Sequence, residues 1–190
     1  MRVFPFLVAA IITVALIIIL DTPLPVNGSK TPRLGYFLSP QQGFWQNAEA
    51  GNVQFNENLS LVGLQGNANV YFDERLVPHV YAENEHDAIF IQGYLHAKFR
   101  LWQMDFQSYA AGGRLSEIMG DSSNGTNFLR IDRFFRRLGM VSGAEKSVAA
   151  LEANPETKAF ADAYTEGVNA YIGTLKDKDI PFEYKLLDYK

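Results

Sequence analysis

The hydrophobic and polar positions divide the chain into four stretches, and the first of them is uniformly apolar. Residues 3–20 form a run of 18 positions without a charged side chain. As an α-helix this run would be about 27 Å long, close to the roughly 30 Å of a bilayer core. The pattern predicts a transmembrane anchor or signal segment over residues 1–20, and we favour an uncleaved anchor. A cleaved signal peptide is the alternative, because residues 26–28 offer a small-residue cleavage site.

The second stretch, residues 21–50, mixes proline and glycine with isolated aromatic residues. Four of the eight prolines of the chain lie here. Each proline removes a backbone donor and fixes one backbone torsion angle. Such a composition is typical of an extended connector, so we predict a connector over residues 21–50.

The third stretch, from residue 51 to residue 82, predicts short strands. The runs 59–64 and 69–72 flank Gln65-Gly66-Asn67, which has the composition of a hairpin turn. The run 77–82 is also predicted to be extended, because Pro78 disfavours helix at the residue before it. Two or three strands are therefore expected in this part of the chain.

The fourth stretch begins at Asn84 and has the periodicity of helices. Asn84 is predicted to cap a helix, and Asp87 suits the positive end of that helix. Two adjacent apolar stripes follow at steps of three and four residues, which predicts a helix buried on two faces. Gly112 and Gly113 are expected to end or kink it. The stripes consist of Ala88, Ile91, Leu95, Phe99, Trp102, Phe106 and Tyr109, and of Phe90, Tyr94, Ala97, Leu101 and Met104.

Three further helices are predicted after this long one. A basic helix is expected over about residues 126–138. A capping box of Ser142 and Glu145 predicts the start of the next helix. Asn154 followed by Pro155 predicts the start of the third, with proline at its first position. The whole chain is thus predicted to be α+β, rich in helix with a small amount of strand.

Composition excludes several classes of site. Hydrophobic residues make up 47% of the chain and charged residues 20%, which is typical of a globular protein. The chain contains no cysteine, so it has no disulfide, no cysteine-ligated zinc and no cysteine nucleophile. A net charge of −4 gives no general attraction to nucleic acid or anionic lipid. The sequence also lacks a P-loop, a G-x-G-x-x-G motif and a G-x-S-x-G motif.

The histidines and arginines are the remaining candidates for chemistry. His79, His86 and His96 do not have the spacing of a zinc site. His96 lies in the helix that is predicted to be buried, so we expect a hydrogen-bonded core residue rather than a metal ligand. For His79, a structural role and a pocket-lining role are both open. The segment 130–137 contains Arg130, Arg133, Arg136 and Arg137, which favours a solvated or salt-bridged helix face over a phosphate or nucleic-acid site.

Two pairs of opposite charge stand one helical turn apart, Arg114 with Glu117 and Asp132 with Arg136. Each pair can form an ion pair on a helix. Taken alone, the residues predict a membrane-tethered, helix-rich body and reveal no active site.

The order of several motifs carries a resemblance to a known family. Asp73 is followed by VPHVYAEN at 77–84, by GYLHAKFRLWQM at 93–104 and by YTEGVNAY at 164–171. In order and spacing, about residues 70–185 resemble the penicillin amidase (penicillin acylase) family of N-terminal-nucleophile hydrolases. The structural family motif consists of Asp73, Pro78, His79, Gly93, His96, Arg100, Gln103, Met104, Arg114, Glu117 and Gly120.

The chain departs from the family pattern at two places within these motifs. Leu76 stands where the family usually has glycine before V-P-H. Phe99 stands where an acidic residue is common, and its ring cannot pair with a nearby arginine. These departures put local salt bridging in doubt, but not the fold.

The resemblance implies a fold and a reaction. Residues 51–190 would be an α-subunit region, incomplete at its C-terminal end, within the αββα sandwich of the superfamily. The full-length protein would hydrolyse a linear amide, such as the acyl side chain of a β-lactam antibiotic or an acyl-homoserine lactone. Its nucleophile would be an autoprocessed N-terminal serine downstream of Lys190, in the β-subunit. We therefore assign no catalytic, substrate-binding or metal-binding residue in this chain, and the fragment alone is not expected to be active.

The resemblance also implies partners and a location. The chain would associate with its own β-subunit and a small N-acyl amide, with the membrane through residues 3–20, and with no nucleic acid. No cofactor is evident, and calcium is possible in the full-length protein through residues absent here. The expected location is the bacterial envelope, either anchored in the inner membrane facing the periplasm or secreted to the periplasm. The alternative is a membrane-tethered, non-catalytic binding or scaffold protein that keeps only the α-subunit shell.

Overall fold

The computed structural model describes residues 3–23, 25–26, 29–48, 58–123 and 125–189. Its backbone is mainly helical, and its strands occur in antiparallel pairs. In chain order the elements are α1 (Val3–Asp21), β1 (Pro25–Val26), β2 (Ser29–Lys30), α2 (Leu34–Phe37), α3 (Trp45–Ala48), β3 (Ala68–Phe72), β4 (Pro78–Ala82), α4 (Glu85–Ala111), α5 (Leu115–Met119), β5 (Ser122–Ser123), β6 (Thr126–Asn127), α6 (Phe128–Arg137), α7 (Met140–Glu152), α8 (Pro155–Thr174) and α9 (Phe182–Leu187).

The chain divides into two compact units. The first unit comprises residues 1–50, 113–135 and 177–190, and the second comprises residues 51–112 and 136–176. The first unit holds α1, α2, α3, α5 and α9 with the hairpins β1–β2 and β5–β6. The second holds α4, α7 and α8 with the hairpin β3–β4.

Helix α1 carries no charged side chain before its last residue, Asp21, and none of its residues is buried. Its 19 residues and its composition are sufficient to cross a membrane. The helix that the uncharged run predicts is therefore confirmed.

The short helices of the first unit pack through aromatic side chains. Phe37 of α2 stacks on Phe44, with ring centroids 5.1 Å apart, and contacts Phe182 of α9 at 5.9 Å. The prediction that residues 21–50 are extended is thus wrong at α2 and α3. The aromatic side chains of this stretch find apolar partners on α9, and this packing favours local helix.

The hairpin β3–β4 belongs to the second unit. Tyr71 lies opposite His79, and Val70 lies opposite Val80. The chain turns through residues 73–77 between the strands. The extended conformation predicted for the segment with Pro78 is confirmed, since β4 begins at that residue.

The turn predicted at Gln65-Gly66-Asn67 is wrong, and residues 59–64 form no strand. The backbone N–H groups of Gln65 and Gly66 donate instead to the carboxylate of Asp87, at 3.0 and 2.7 Å. A partner more than twenty residues away fixes this segment, and it does so without a ladder of strand hydrogen bonds.

Helix α4 begins at Glu85, and Asn84 caps it through a bond from the Asp87 N–H to Asn84 Oδ1 at 2.8 Å. This start is the predicted one. The helix has a kink at Arg100, where φ is −142° and ψ is 20°. It ends at Gly112, also as predicted.

The core of the second unit lies along the first half of α4. Phe90 is fully buried, and Ile91, Tyr94 and Leu95 are nearly so. Apolar residues of β3, β4 and α8 pack against these four side chains. Beyond the kink the helix has no buried residue, so the prediction of two buried faces is confirmed for the first half and wrong for the second.

Two glycines allow α4 and α8 to approach closely. A Cβ on Gly93 of α4 would overlap the carbonyl oxygen of Tyr164. A Cβ on Gly167 of α8 would overlap the carbonyl oxygen of Phe90. Each glycine thus faces the backbone of the other helix, which is the reason for glycine at both positions.

The remaining helices start where local caps allow. Asn154 Oδ1 accepts the N–H of Glu156 at 2.9 Å, and Pro155 is the first residue of α8, as predicted. The predicted capping box at Ser142 is wrong, because α7 starts earlier, at Met140. Helix α6 confirms the basic helix, and the described residues as a whole confirm an α+β chain rich in helix.

Candidate functional site

The exposed face of the β3–β4 hairpin carries polar and aromatic residues, among them Asp73 and His79 of the resemblance motif. The alternation of the strands places Asn69 and Tyr71 beside His79 and Tyr81, facing away from the core. With Asp73 and Phe72 these residues line an open depression of ≈ 610 Å³. The Tyr71 and Tyr81 rings meet edge to face, with centroids 5.8 Å apart. This face can stack on or hydrogen-bond to a ligand.

The carboxylate of Asp73 accepts hydrogen bonds from the hairpin loop. Its Oδ1 accepts the N–H groups of Arg75 and Val77, at 2.9 and 2.8 Å, and its Oδ2 lies 3.5 Å from His79 Nε2. These bonds, that from Val77 foremost, hold the pKa of Asp73 below its usual value of 3.8. The described lining residues include no Ser, Thr or Lys, so this depression has no nucleophile of those types. His79 lines the depression, which agrees with the pocket-lining role, one of the two that the sequence left open.

The loop contains a strained residue. Leu76 has a φ of 61°, in the left-handed region where a Cβ costs about 1–2 kcal/mol. Its N–H donates to the Asp73 carbonyl at 2.9 Å, and Asp73 N–H donates to Val77 O at 3.1 Å. This is the hydrogen-bonding pattern of a short hairpin loop with a bulge position that favours glycine.

Replacing Leu76 by glycine is expected to stabilise the chain by about 0.5–1 kcal/mol, because glycine adopts this conformation without strain. Leu76 is 58% exposed, so little burial is lost. The midpoint of urea unfolding measures the gain. Leu76→Ala is the control, since it shortens the side chain and keeps the Cβ. Equal midpoints for the two variants would contradict the strain.

The motif residues of α4 have separate structural roles. Gly93 lies at the contact with α8, as described above. His96 Nδ1 lies 3.0 Å from the hydroxyl of Tyr164. The predicted hydrogen bond of His96 is confirmed, but its predicted core position is wrong, because the residue is exposed on the face beside α8. Periodicity alone placed it in the core.

Arg100, Gln103 and Met104 follow at the kink and after it. Arg100 Nη1 lies 3.5 Å from Gln103 Oε1, a long contact. The carbonyl of Met104 accepts the hydroxyl of Ser108 at 3.1 Å. Phe99, where an acidic residue was expected, instead turns its ring edge to Phe72 of β3, with centroids 6.0 Å apart. Phe99 thus forms an aromatic contact at the position where the family commonly has an acidic residue.

The motif residues of the first unit surround α5. Arg114 pairs with Glu117 through two nitrogens, with a shortest distance of 2.7 Å, which confirms the predicted pair. Gly120 ends the helix with a φ of 78°. The pattern of charges did not reveal the buried role of Asp132, which accepts the N–H groups of Leu115 and Ser116 at 2.8 Å each. That carboxylate satisfies the free donors at the start of α5.

Asp87 is the second buried carboxylate whose structural role the sequence did not predict. It is fully buried and bound by the N–H groups of Gln65 and Gly66, by Asn84 Nδ2 at 2.9 Å and by His86 Nδ1 at 3.0 Å. Burial raises its pKa, but these hydrogen bonds outweigh burial and lower the pKa from 3.8 to about 2. Its position within an apolar stripe is the sequence signal that could have identified it.

The remaining candidates for chemistry are also accounted for. Among the residues that the structure describes, no group of three His, Asp or Glu side chains could hold a metal ion. Arg130, Arg133, Arg136 and Arg137 are exposed on α6, as a solvated helix face requires.

Comparisons with known proteins agree on one family. The family described as penicillin amidase matches residues 67–190. The acyl-homoserine lactone acylase QuiP of Pseudomonas syringae pv. tomato is 36% identical over 118 residues, which cover 62% of this chain and 14% of that protein. The penicillin acylase 2 proenzyme of Pseudomonas sp. SE83 is 35% identical over 130 residues, which cover 68% of this chain and 16% of the proenzyme.

A solved structure shares the fold. The thermostable penicillin G acylase from Alcaligenes faecalis aligns with a TM-score of 0.56 at 24% identity, over 66% of this chain and 64% of that chain. The chain spans only 14% and 16% of the length of the two relatives named above. The shared part is thus a limited region of much longer proteins.

Proposed function

The chain belongs to the penicillin amidase family, and we propose on that basis that it is the N-terminal, α-subunit part of an acylase precursor. The match over residues 67–190 carries this proposal. The contacts of the motif residues support it. Asp73 accepts hydrogen bonds within the hairpin loop, Gly93 contacts α8, and Arg114 forms an ion pair with Glu117. Each of these residues stabilises the fold, as expected of a shell around a catalytic partner.

The proposed reaction is hydrolysis of a linear N-acyl amide. A serine at the start of a β-subunit region, released by autoprocessing, would attack the amide carbonyl while its own α-amino group takes the hydroxyl proton. The amine would leave with a proton, and water would then hydrolyse the acyl ester to the free acid. The proposed αββα sandwich would be completed by that β-subunit region, which is the partner of this chain.

The relatives suggest two substrate classes. One relative is named an acyl-homoserine lactone acylase and another a penicillin acylase. We propose a substrate with an apolar acyl group on a small amine, either a homoserine lactone or the nucleus of a β-lactam. We propose that calcium, where the full-length protein binds it, is held by residues outside this chain.

The proposed location is the bacterial envelope, with the acylase on the periplasmic side. Helix α1 supports it, because its 19 residues are long and apolar enough to cross a membrane and none of them is buried. Extraction of membranes with alkaline carbonate tests the anchor, since an uncleaved α1 keeps the protein in the pellet. Release into the soluble fraction with a shortened N-terminus would identify α1 as a cleaved signal.

The activity is tested on the complete gene product. The purified protein is incubated with a long-chain N-acyl homoserine lactone and, separately, with penicillin G, and the released amine is quantified. We expect amine release from at least one substrate and two polypeptides by intact mass. Alanine in place of the serine that begins the second polypeptide should abolish both.

A single unprocessed polypeptide without amine release from any N-acyl substrate would contradict the acylase. The alternative, a membrane-tethered binding or scaffold protein, would then be favoured. A processed protein that is inactive on both probes would instead limit the error to the substrate class.

A further inference from the structure

The first unit exposes apolar side chains next to the end of α1. Leu38 is 47% exposed, Trp45 52%, Phe182 39% and Leu186 38%. We call these four residues the aromatic platform. They come from two distant parts of the sequence, residues 38–45 and 182–186, and both parts belong to the first unit.

Ring contacts hold the platform in place. The Phe44 and Trp45 rings lie with centroids 4.3 Å apart. Phe37 stacks on Phe44 and contacts Phe182. The exposed Trp45 side chain is thus held in place by packing against Phe44, which itself packs against Phe37.

Polar contacts connect the two parts of the platform. Arg33 binds Asp188 through two nitrogens, at 2.9 and 3.1 Å. Lys185 is 4% exposed and donates to Asn47 Oδ1 at 2.7 Å, and Asn47 Nδ2 donates to the carbonyl of Ile180 at 3.0 Å. Burial lowers the pKa of Lys185 despite the nearby Asp177. These contacts therefore connect residues 33–47 to residues 180–188 within the first unit.

Helix α2 attaches the platform to α1. Gly35 lies against the last turn of α1, where a Cβ on Gly35 would be 3.5 Å from the Leu20 carbonyl oxygen. Phe37, two residues later in α2, carries the ring contacts of the platform. The platform is therefore connected through α2 to the last turn of α1.

We propose that the aromatic platform lies in the interfacial layer of a lipid bilayer, beside the point where α1 leaves it. This inference rests on the proposed anchoring by α1. Tryptophan and other aromatic side chains are enriched at that depth, where an apolar body and a polar tip are both solvated. An exposed apolar cluster next to a membrane helix is thereby removed from water without a protein partner. The platform holds the first unit against the membrane.

The chain contains two tryptophans, which makes the depth of Trp45 measurable. The full chain with Trp102→Phe is reconstituted in phosphatidylcholine vesicles, so that Trp45 is its single tryptophan. Lipids brominated near the carbonyl end of the acyl chains should quench Trp45 about twofold more strongly than lipids brominated near the methyl end. Aqueous acrylamide should quench it weakly. Trp45→Phe is the matched control, because its remaining Trp102 is half-buried in the second unit and does not belong to the platform.

If acrylamide quenched Trp45 as strongly as Trp102, the proposed membrane contact of the platform would be wrong. It would also be wrong if neither quencher reached Trp45, because protein would then cover the side chain. A carbonate wash of the same vesicles separates the two proposals. Release of the chain would overturn the anchor and the platform together. Retention of the chain with a water-exposed Trp45 would overturn the platform alone.

Discussion

The Asp87→Asn variant is expected to lose about 3 kcal/mol or more of unfolding free energy, which is a large fraction of the about 5–15 kcal/mol of an ordinary folded protein. Asp87 is fully buried, and its two oxygens face the N–H groups of Gln65 and Gly66 and the side chains of Asn84 and His86. An asparagine offers only one acceptor oxygen, and its NH₂ group would point at donors. Buried donors would then lack partners, which costs more than the loss of one bond.

Urea unfolding followed by circular dichroism measures this loss, and hydrogen exchange at the amides of Gln65 and Gly66 locates it. Asp162→Asn is the matched control, because Asp162 pairs with Lys158 on the exposed face of α8 and its side chain is 55% exposed. That control should change the unfolding midpoint little. Similar midpoints for the two variants would mean that the carboxylate of Asp87 does not stabilise the unit.

The same carboxylate predicts a dependence of stability on pH. The pKa of Asp87 is about 2 in the folded chain and near 3.8 when the chain is unfolded. Because the folded pKa is the lower one, the stabilisation is fully present above about pH 4 and is lost as the pH falls toward 2. The difference between the wild-type chain and Asp87→Asn should therefore narrow over that range. A constant difference from pH 6 to pH 2 would contradict the assigned charge.

Local signals in the sequence identified the starts of α4 and α8 correctly. Asn84 and Asn154 each accept a backbone N–H within three residues, so the residues that make the cap are visible together in the sequence. The ion pair of Arg114 with Glu117 has the same property. Contacts of this kind depend on helical geometry alone, and the periodic pattern already implies that geometry.

Contacts between distant residues could not be predicted in the same way. The segment at Gln65 has the composition of a turn, yet Asp87, 22 residues away, takes its N–H groups. The spacing of Asp132 suggested a pair with Arg136, but it did not reveal that Asp132 is buried and binds the start of α5, 16 and 17 residues earlier. Neither carboxylate has a local pattern that identifies its distant partners, because these contacts form only when the chain is packed.

The conformation of the hairpin loop is a third feature that the local sequence did not predict. Leu76 has no turn propensity, and its left-handed conformation is fixed by the bonds of Asp73 around it. The family pattern, with glycine at this position, was a better guide than local composition. His96 is the converse case, since the helical stripe predicted burial, whereas the ring of Tyr164 covers only one side of an exposed imidazole.

The Gly167→Ala variant is expected to destabilise the second unit by about 3 kcal/mol, the upper part of the range for overpacked cores. Alanine favours helix over glycine by about 1 kcal/mol, so a gain would be expected from propensity alone. The added Cβ would overlap the carbonyl carbon and oxygen of Phe90, and backbone atoms cannot rotate away as a side chain does. Helices α4 and α8 would have to separate, which would expose Phe90 and loosen the core around it. Gly93→Ala should act in the same direction, because its Cβ would overlap Tyr164 of α8.

Helix α8 supplies its own control for this prediction. A Cβ on Gly173 would meet no atom within 4 Å, so Gly173→Ala has the same change in composition and helix propensity without the steric overlap. It should be as stable as the wild-type chain or more stable by up to about 1 kcal/mol. Thermal unfolding of the two variants side by side separates propensity from packing, since only packing gives them opposite signs. If both variants were stabilised, α4 and α8 would not be in backbone contact, and the close crossing that organises the core of the second unit would be wrong.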